Sequence, residues 1–307
     1  MKPIIVFGCD NNFVNYTQSA LASIAAHPSL NSIPVGLLDC GISEENLEYF
    51  RTQNLIIRKA EWTIPFPQLD EWKENLPSYK AIMSRPFLPD YFTEFDVIIW
   101  LDSDLWVQTP VAIHDFLAAA SWSDCSVVLE LDRNYEEYRT GPRWWRIFRD
   151  FNHRFFGVDV ADRLFHCPNI NSGVLCIRRE APHWDVWQKT LATALNRKHD
   201  VDKWAALVEQ NSLNVAIYDN KLQMACLPAT HNWSCVQATP AWNEQTCQIV
   251  ECHPPHTPIS ILHLTGRSKG KVFNLPIAGG CGRYIETALD YESVSKVFLN
   301  RKKKLNQ

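Results

Sequence analysis

The sequence predicts an α/β protein with a central, mostly parallel mixed sheet, and three observations carry that prediction. Strand and helix signals alternate through the first hundred residues, which is typical of repeated βα units. The predicted strands are short apolar runs without alternating polar residues, as expected where both faces of a sheet are covered. No internal repeat or linker-like segment interrupts the chain, so we expect one extended domain.

The individual elements have local signals. Ser43 has the N-cap signature of a helix, and acidic residues follow it in the first turn. The fully apolar run at residues 97–101 stops at Asp102, as a buried strand does at its end. Residues 228–258 are rich in Pro, Trp, Cys and His and are predicted to be irregular. In chain order, the predicted strands are 4–7, 34–38, 55–57, 97–101, 174–177 and 259–262, the last clear one, and the predicted helices are 15–27, one that opens at Ser43, 184–195 and 204–218.

The composition excludes several classes of protein. The 307 residues carry 30 Lys and Arg against 34 Asp and Glu, a net charge of −4, and 46% of them are hydrophobic. These values argue against a disordered chain, a collagen-like chain and a polybasic nucleic-acid binder, so we expect no nucleic-acid partner. The 12 Trp residues hint at a sugar-binding cleft, although such rings also fill cores.

The compartment signals favour the cytoplasm. No run of about 18 apolar residues occurs, and the N-terminus lacks the pattern of a secretory signal peptide. We therefore expect a cytoplasmic protein whose 10 cysteines are reduced thiols. Cys247, Cys252, His253 and His256 lie close together in the sequence, but their spacing fits no common zinc pattern. The triplet at 232–234 matches a glycosylation acceptor, which carries no information in this compartment.

Two aspartates follow the apolar strand. Asp102 and Asp104 lie two residues apart at the predicted carboxyl end of the strand, where open α/β sheets bind ligands. Carboxylates placed in this way can both reach one hard divalent cation. A second Asp-x-Asp triplet at 200–202 lies between helical segments among charged residues, so we interpret it as a solvated loop. A pair of solvated loop carboxylates is the alternative interpretation of the first triplet as well.

A second candidate cluster follows the last predicted strand. His263 could supply a third, nitrogen ligand to the same cation. Gly266 would let the backbone approach a phosphate closely, and Lys269 would neutralise that phosphate as a point charge. A lone histidine at a strand end is more often structural. A ligand role for His263 is therefore predicted only in combination with Asp102 and Asp104.

Five segments of the chain occur in a defined order. They are residues 6–13, Asp102-Ser103-Asp104, Asn-Ile-Asn-Ser-Gly-Val-Leu at 169–175, Glu-Gln-Asn-Ser-Leu-Asn at 209–214, and the His-x-x-Gly-x-x-Lys pattern from His263 to Lys269. In this order and spacing, from residue 3 to about residue 270, the chain resembles the retaining, metal-dependent nucleotide-sugar glycosyltransferases of family 8. That family includes lipopolysaccharide galactosyl- and glucosyltransferases and glycogenin.

The resemblance implies a GT-A type nucleotide-binding (Rossmann-like) fold, a UDP-sugar donor and Mn²⁺ or Mg²⁺ as the cofactor. It also implies a role for each matching residue. Asp102, Asp104 and His263 would ligate the metal. Asp10, Asn12 and Phe13 would hold the uracil, with Phe13 stacking on it; Arg85 and Ser103 would face the donor; Gly266 and Lys269 would contact the diphosphate; and Asp132, Asn171, Glu209 and Gln210 would hold the donor sugar or line the reaction centre.

The chain departs from the family pattern at three positions. Glu209 stands where Asp is usual, Asn211 replaces a second acid, and Gly270 stands where Pro-Trp is common. Retention of the anomeric configuration needs either an enzymatic nucleophile or attack by the acceptor on the same face of the sugar. Gln210 is a poor nucleophile and Glu209 or Asp132 a better one, so both routes are compatible with the sequence.

Two other functions are compatible with such a fold. One is a catalytically silent carbohydrate-binding or scaffold protein, which has no reason to keep Asp102, Asp104, His263 and Lys269 together. The other is a sugar-nucleotide pyrophosphorylase, which opens with a Gly-rich phosphate loop ending in a Lys. Residues 4–30 contain no such loop, so the glycosyltransferase is the favoured interpretation.

The resemblance also divides the chain. Residues 1–275 are predicted to form the GT-A catalytic domain and 276–307 a helical, basic C-terminal tail. The segments 133–166 and 228–258 are predicted to be insertions on the acceptor side, where a glycan, a lipid-linked sugar or a lipopolysaccharide-type acceptor would bind.

One segment suggests a membrane contact. Residues 143–156 are predicted to form a helix whose aromatic residues share one face, and the chain ends in a basic run at 301–304. We hypothesise peripheral contact with an anionic membrane, on its inner face. The alternative packs the rings on the catalytic body. The aromatic residues are Trp144, Phe148, Phe151 and Phe155, and the interleaved basic residues are Arg143, Arg146, Arg149 and Arg154.

Overall fold

The structure, a computed structural model, describes residues 1–135, 143–197, 205, 207–280 and 282–305. The second Asp-x-Asp triplet, at 200–202, lies outside the described residues. The described strands are β1 (Pro3–Cys9), β2 (Val35–Asp39), β3 (Ile56–Lys59), β4 (Val97–Leu101), β5 (Leu105–Val107), β6 (Cys125–Leu129), β7 (Ile170–Arg178), β8 (Ala225–Leu227), β9 (Trp233–Ser234), β10 (Ala241–Asn243), β11 (Gln248–Val250), β12 (Ile261–His263), β13 (Val272–Pro276) and β14 (Tyr284–Ala288).

A seven-stranded sheet in the order β3-β2-β1-β4-β7-β6-β8 forms the centre of the molecule. Within it β7 runs antiparallel to β4 and β6, and the other neighbours pair in parallel. The prediction of a central, mostly parallel mixed sheet is therefore confirmed. A smaller sheet in the order β5-β12-β9 lies beside it, and β10-β11 and β13-β14 form two-stranded pairs.

Helices cover both faces of the central sheet, as the apolar strands predict. On one face Ile5 and Phe7 pack with residues of the first and sixth helices. On the other face Ile4 and Val6 pack with residues of the ninth and tenth helices, which span residues 183–195 and 207–219. The described helices are α1 (Val14–Ala25), α2 (Glu44–Thr52), α3 (Leu69–Asn75), α4 (Lys80–Ser84), α5 (Leu88–Tyr91), α6 (Val111–Ala119), α7 (Arg143–Phe156), α8 (Val158–Arg163), α9 (His183–Leu195), α10 (Leu207–Asp219) and α11 (Tyr291–Leu305).

The C-terminal third contains more strands than the sequence predicts. The expectation that 259–262 holds the last strand is wrong, because β13 and β14 follow it as an antiparallel pair. Phe273 and Leu275 are the buried residues of β13, so its apolar signal is short and one-sided. The segment 228–258, predicted to be irregular, contains β9, β10 and β11, each of two or three residues. Strands this short depend on tertiary pairing, which local sequence does not encode.

The aromatic side chains of α7 contact the body of the protein. Trp144, Trp145 and Phe148 are partly buried against the core cluster that contains Trp233 and Trp242. Phe155 is fully buried in another cluster beside α9 and α10. This arrangement agrees with the alternative in which the rings pack on the body. None of the helices that the structure describes is both long and apolar enough to span a bilayer.

Candidate active site

The turn after β1 is built by Asp10. Its Oδ1 accepts hydrogen bonds from the backbone N–H groups of Asn12 and Phe13, at 2.9 and 3.2 Å. This cap starts a short 3₁₀ helix at Asn11–Phe13, from which α1 continues. As a result Phe13 is half-buried at the carboxyl edge of the sheet, while Asn12 is exposed next to it.

Asp102 and Asp104 flank a sharp turn between β4 and β5. The hydroxyl of Ser103 donates to the carbonyl of Gly8 at 2.8 Å, which fastens the turn to the end of β1. β5 then pairs antiparallel with β12, and His263 lies directly opposite Leu105. The pairing of two strands distant in sequence therefore brings the histidine next to the aspartates.

Asp102, Asp104 and His263 form one cluster. His263 Nε2 lies 3.2 Å from Asp104 Oδ1 and 3.7 Å from Asp102 Oδ2. One ligand atom from each of the three residues can be chosen so that all lie within 4.8 Å of one another. Among the residues that the structure describes, no other group of three or more acidic, His or Cys side chains is arranged so that it could hold a metal ion. The two carboxylates are ligands of the kind that Mn²⁺ and Mg²⁺ prefer.

Lys269 places a positive charge next to the carboxylate of Asp104. Its ammonium lies 2.5 Å from Asp104 Oδ2 and 5.4 Å from the centre of the Phe13 ring. Burial would raise the pKa of the Asp104 carboxyl, but His263 and Lys269 outweigh burial and hold that pKa well below its usual range. Burial would lower the pKa of His263, but Asp104 and Asp102 raise it overall. Gly266, at φ +50°, supplies the left-handed turn before Lys269.

Arg85 joins the aspartate turn to α10. Its guanidinium is 2% exposed and donates to Asp102 Oδ1 at 2.8 Å and to Glu209 Oε2 at 2.9 Å. It also donates to the Ser172 hydroxyl at 2.5 Å. The indole N–H of Trp100 donates to the same Asp102 Oδ1 at 2.7 Å. Two donors therefore fix Asp102 Oδ1, while Oδ2 lies on the side of His263.

Glu209 and Gln210 lie in the first turn of α10 and contact Arg85 and Ser172, respectively. Burial raises the pKa of Glu209 to about 7, against the lowering effect of Arg85. Gln210 Oε1 accepts from the backbone N–H of Ser172 at 3.2 Å. Among the described residues, neither Glu209 Oε1 nor Arg85 Nε has a hydrogen-bond partner. Both atoms are shielded from the cleft by the residues around them.

Asn171 and Asp132 make hydrogen bonds to different parts of the molecule. Asn171 Nδ2 donates to Glu130 Oε1 at 2.5 Å. Asp132 Oδ1 accepts from the backbone and side-chain nitrogens of Asn134, at 2.8 and 2.7 Å. No hydrogen bond or ion pair recorded for the described residues joins Asp132 to Glu209. Asn171 also accepts a hydrogen bond from Asn232, which contacts His263, so the structure links Asn171 to the predicted site. The paired oxygen of Asp132 belongs to a turn with Asn134.

An open cleft of about 180 Å³ connects these elements. Five of the residues predicted to bind the donor line it. They are Asp10, Phe13, Arg85, Asp102 and Ser103, together with the ligand Asp104, and the cleft is completed by Gly8, Ser78, Tyr79, Ala81, Ile82 and Trp100.

Several residues of the site carry no role in the sequence-based prediction. Ser172 and Gly173 lie inside the matched segment at 169–175, so that motif could have indicated them. A Cβ at Gly173 would overlap His263 and lie 2.7 Å from Asp102 Oδ2, so the close approach requires glycine. Glu130 follows the apolar run of β6, as Asp102 follows β4, which was a usable signal. Asn232 precedes β9, and its glycosylation-type triplet gives no indication of a role in this site.

The cysteine and histidine group at 247–256 does not assemble as a metal site among the described residues. Cys252 Sγ donates to Asn134 Oδ1 at 3.2 Å, and a ring nitrogen of His256 contacts the Glu251 carbonyl at 2.9 Å. These side chains therefore stabilise the turn at Asn134 and a loop after β11.

Comparisons with known proteins agree with this geometry. The family model described as Glycosyl transferase family 8 matches residues 4–270. A search of curated protein sequences gave no match. Among solved structures, the galactosyltransferase LgtC, crystallised with donor and acceptor sugar analogues, is 16% identical with a TM-score of 0.52, over 97% of this chain and 95% of its own.

Two further structures are similar. GlyE from Streptococcus pneumoniae TIGR4 is 17% identical with a TM-score of 0.51, over 99% of this chain and 64% of its own. The bifunctional glycosyltransferase WbbM is 14% identical with a TM-score of 0.53, over 85% of this chain and 45% of its own. At these identities the likenesses establish the fold, which is the GT-A fold.

Proposed function

The chain belongs to glycosyl transferase family 8, and we propose that it transfers a hexose from a UDP-sugar, with retention, in a reaction that depends on Mn²⁺ or Mg²⁺. The observation that carries the proposal is the convergence of Asp102, Asp104 and His263 at the edge of a cleft that also contains Phe13 and Arg85. Membership of the family disfavours the pyrophosphorylase alternative.

The donor set fits a divalent metal. Asp102 Oδ2, Asp104 Oδ1 and His263 Nε2 face one another, and these three residues would hold the ion. A bound divalent cation would supply positive charge to a nucleotide diphosphate, which is a poor leaving group until its developing charge is neutralised. The ammonium of Lys269 would supply a second positive charge to the diphosphate. Asp104 already holds this ammonium beside the three metal-ligand candidates.

The nucleotide would occupy the cleft between the first turn and α4. Asp10 holds the turn that presents Phe13, and the half-buried ring offers a stacking surface for uracil. Asn12 lies beside it and would contribute to base recognition. Gly266 precedes Lys269 in a backbone conformation that keeps side-chain bulk away from the diphosphate.

The donor sugar would lie over Glu209, Gln210 and Arg85. Arg85 is fixed by Asp102, Glu209 and the Ser172 hydroxyl, so its guanidinium is preorganised. Glu209 Oε1 and Arg85 Nε are buried and have no hydrogen-bond partner among the described residues, so sugar hydroxyl groups would reach them only if the side chains around them move. Gln210 would border the sugar because it and Arg85 both bond Ser172, and Asn171 precedes Ser172 in β7. A role for Asp132 requires that it face the sugar with its other carboxylate oxygen.

The acceptor proposed here is a glycan, lipid-linked or lipopolysaccharide-type molecule that enters beside α7 and the segment 228–258. Two contacts support this placement. Arg133 pairs with Glu251 at 2.6 Å, and Cys252 donates to Asn134, so the two segments meet next to Asp132. Contact with an anionic membrane remains part of this proposal, since it would bring a lipid-linked acceptor to the site.

One experiment tests the proposal directly. The protein is incubated with Mn²⁺ or Mg²⁺ and a panel of nucleotide sugars, and nucleotide release is followed with and without EDTA. We expect metal-dependent release of UDP from a UDP-hexose, and an α-linked product from an α-linked donor by NMR. Metal-dependent UDP binding without any release of sugar would instead identify a catalytically silent protein.

A further inference from the structure

Asn232 lies behind the candidate metal cluster, where no ligand would touch it. It ends the short 3₁₀ helix at Ala229–His231 and precedes β9, which pairs in parallel with β12. The residue is 3% exposed, so the glycosylation-type triplet that begins there is closed to a glycosylating enzyme in the folded protein. Its two amide atoms contact two functional side chains, His263 and Asn171.

The orientation of these amides follows from one unambiguous donor. The backbone N–H of Gly173 donates to the side chain of Asn171 at 2.9 Å, so the Asn171 atom at that position is the oxygen. The Asn171 nitrogen then faces Glu130 Oε1 at 2.5 Å, as a donor should. The Asn232 atom that lies 3.0 Å from the Asn171 oxygen must therefore be the nitrogen. The oxygen of Asn232 is left facing His263 Nδ1 at 2.9 Å.

This orientation determines the state of the histidine. Because Asn232 presents only an acceptor, a metal bound at Nε2 would leave His263 Nδ1 as the nitrogen that carries the proton and donates it. His263 Nε2 is then the nitrogen whose lone pair can reach a metal, and it is the nitrogen on the side of Asp104 and Asp102, at 3.2 and 3.7 Å. The Nδ1–H is present in both the neutral tautomer and the charged ring, so the contact persists when a cation replaces the Nε2 proton.

We propose that Asn232 is a positioning residue that fixes the Nδ1–H tautomer and ring orientation of His263 and couples the metal cluster to Asn171. The inference rests on the proposed metal-dependent function. Histidine ligands commonly donate their second N–H to an acceptor in this way, and removal of such a partner costs about 10- to 100-fold in metal affinity. Here the acceptor is itself held by the chain Gly173–Asn171–Glu130, so the donor-sugar side and the metal side share one hydrogen-bond network.

Two substitutions separate the two contacts of Asn232. Asn232→Ala removes both, and we expect Mn²⁺ binding, measured by EPR titration, to weaken about 10- to 100-fold. Asn232→Asp keeps an acceptor for His263 but cannot donate to Asn171. We expect this variant to keep Mn²⁺ affinity within a few-fold of the unaltered protein and to lose kcat for UDP-sugar turnover, because a carboxylate oxygen would then face the Asn171 oxygen and repel it from its present position.

Asn214→Ala is the matched control. Asn214 is also a buried asparagine, at 6% exposure, and its amide bonds backbone groups of Ile170 and Gln210 away from the metal cluster. We expect it to lower thermal stability about as much as Asn232→Ala does, with Mn²⁺ affinity unchanged. Equal losses of Mn²⁺ affinity in both variants would mean a structural effect and would overturn the inference.

The tautomer is tested without any metal. In ¹⁵N-labelled metal-free Asp104→Ala protein, which lacks the carboxylate 3.2 Å from Nε2, long-range ¹H–¹⁵N spectra at a pH where the ring is neutral should show His263 protonated at Nδ1, and adding Asn232→Ala should shift it toward a mixture. A His263 ring protonated mainly at Nε2 in Asp104→Ala overturns the inference whether or not the double variant folds. Absence of Mn²⁺ binding by the unaltered protein would instead count against the proposed function, and the NMR result would still decide the tautomer.

Discussion

The ammonium of Lys269 lies 2.5 Å from Asp104 Oδ2, in the position of a counter-ion to the metal cluster, and 5.4 Å from the centre of the Phe13 ring. The lysine therefore contacts both the group expected to bind the cation and the ring expected to bind the base. It has two effects of opposite sign, since it competes with a metal for Asp104 and attracts a diphosphate.

We predict that Lys269→Ala separates these effects. Without the ammonium, Mn²⁺ alone should bind about three- to tenfold more tightly, because a positive charge next to the site is removed. UDP should bind more weakly, and uridine nearly as before. Lys271→Ala is the control, since Lys271 lies 5.0 Å from the Phe273 ring in a comparable contact outside the cluster. Weaker Mn²⁺ binding in Lys269→Ala would contradict the competition.

The metal ligands give the second prediction. Asp102→Ala, Asp104→Ala and His263→Ala should each abolish most metal-dependent UDP release while far-UV CD stays unchanged, because each removes one ligand from a three-residue set. The triplet at 200–202 supplies the control, and Asp200→Ala and Asp202→Ala should be nearly silent. Full activity and unchanged Mn²⁺ affinity in His263→Ala would disprove the three-ligand arrangement.

The Phe13 ring gives the third prediction. Phe13→Ala should weaken UDP binding by about 1–3 kcal/mol in calorimetry, the range found for a base stacked on an aromatic side chain. The loss should be the same for uridine and UDP, since the ring contacts the base alone. Phe13→Tyr keeps the stacking surface and should bind as the unaltered protein does. Equal binding by Phe13→Ala would rule out the stacking role.

Glu209 gives a pH dependence of stability. Burial raises its pKa to about 7 from the ordinary 4.5, so folding favours the protonated carboxyl. The resulting stabilisation is complete below about pH 4.5 and is lost as the pH rises through about 7, and a shift of this size corresponds to about 2 to 4 kcal/mol. Glu209→Gln removes the titration, so its Tm relative to the unaltered protein should rise from pH 4.5 to pH 7.5. The exposed Glu74→Gln should show no such trend, and a parallel trend in both variants would refute the assignment.

The membrane hypothesis gives the last prediction. Arg146→Glu combined with Arg149→Glu should weaken binding to anionic liposomes at low salt by at least about tenfold, since each basic residue near an anionic surface contributes about 1 kcal/mol. UDP-sugar hydrolysis in solution should be unaffected. Arg163→Glu is the control, because Arg163 is a surface arginine paired with Asp219, as Arg149 is with Asp162. If the unaltered protein does not bind such liposomes, a soluble acceptor becomes the better proposal.

The sequence predicted the fold because its signals are local. The run at 97–101 is β4 to the residue, and the helices predicted at 15–27 and 184–195 are α1 and α9 within two residues. A buried strand is visible as a short apolar run, and an amphipathic helix as a periodic pattern, each within about a dozen residues. β13 and β14 have no such local pattern, because few of their residues are buried.

Residue types and their order in the sequence determined the family, the α/β class and the candidate ligands Asp102, Asp104 and His263. Tertiary structure decided which of them meet. The antiparallel pairing of β5 with β12 brings His263 to Asp104 across 159 positions of sequence, and no local pattern encodes that pairing. The same holds for Asn232, whose partners His263 and Asn171 lie 31 and 61 residues away. Local physics sets strands and turns, whereas hydrogen bonds between distant segments exist only once the core has packed.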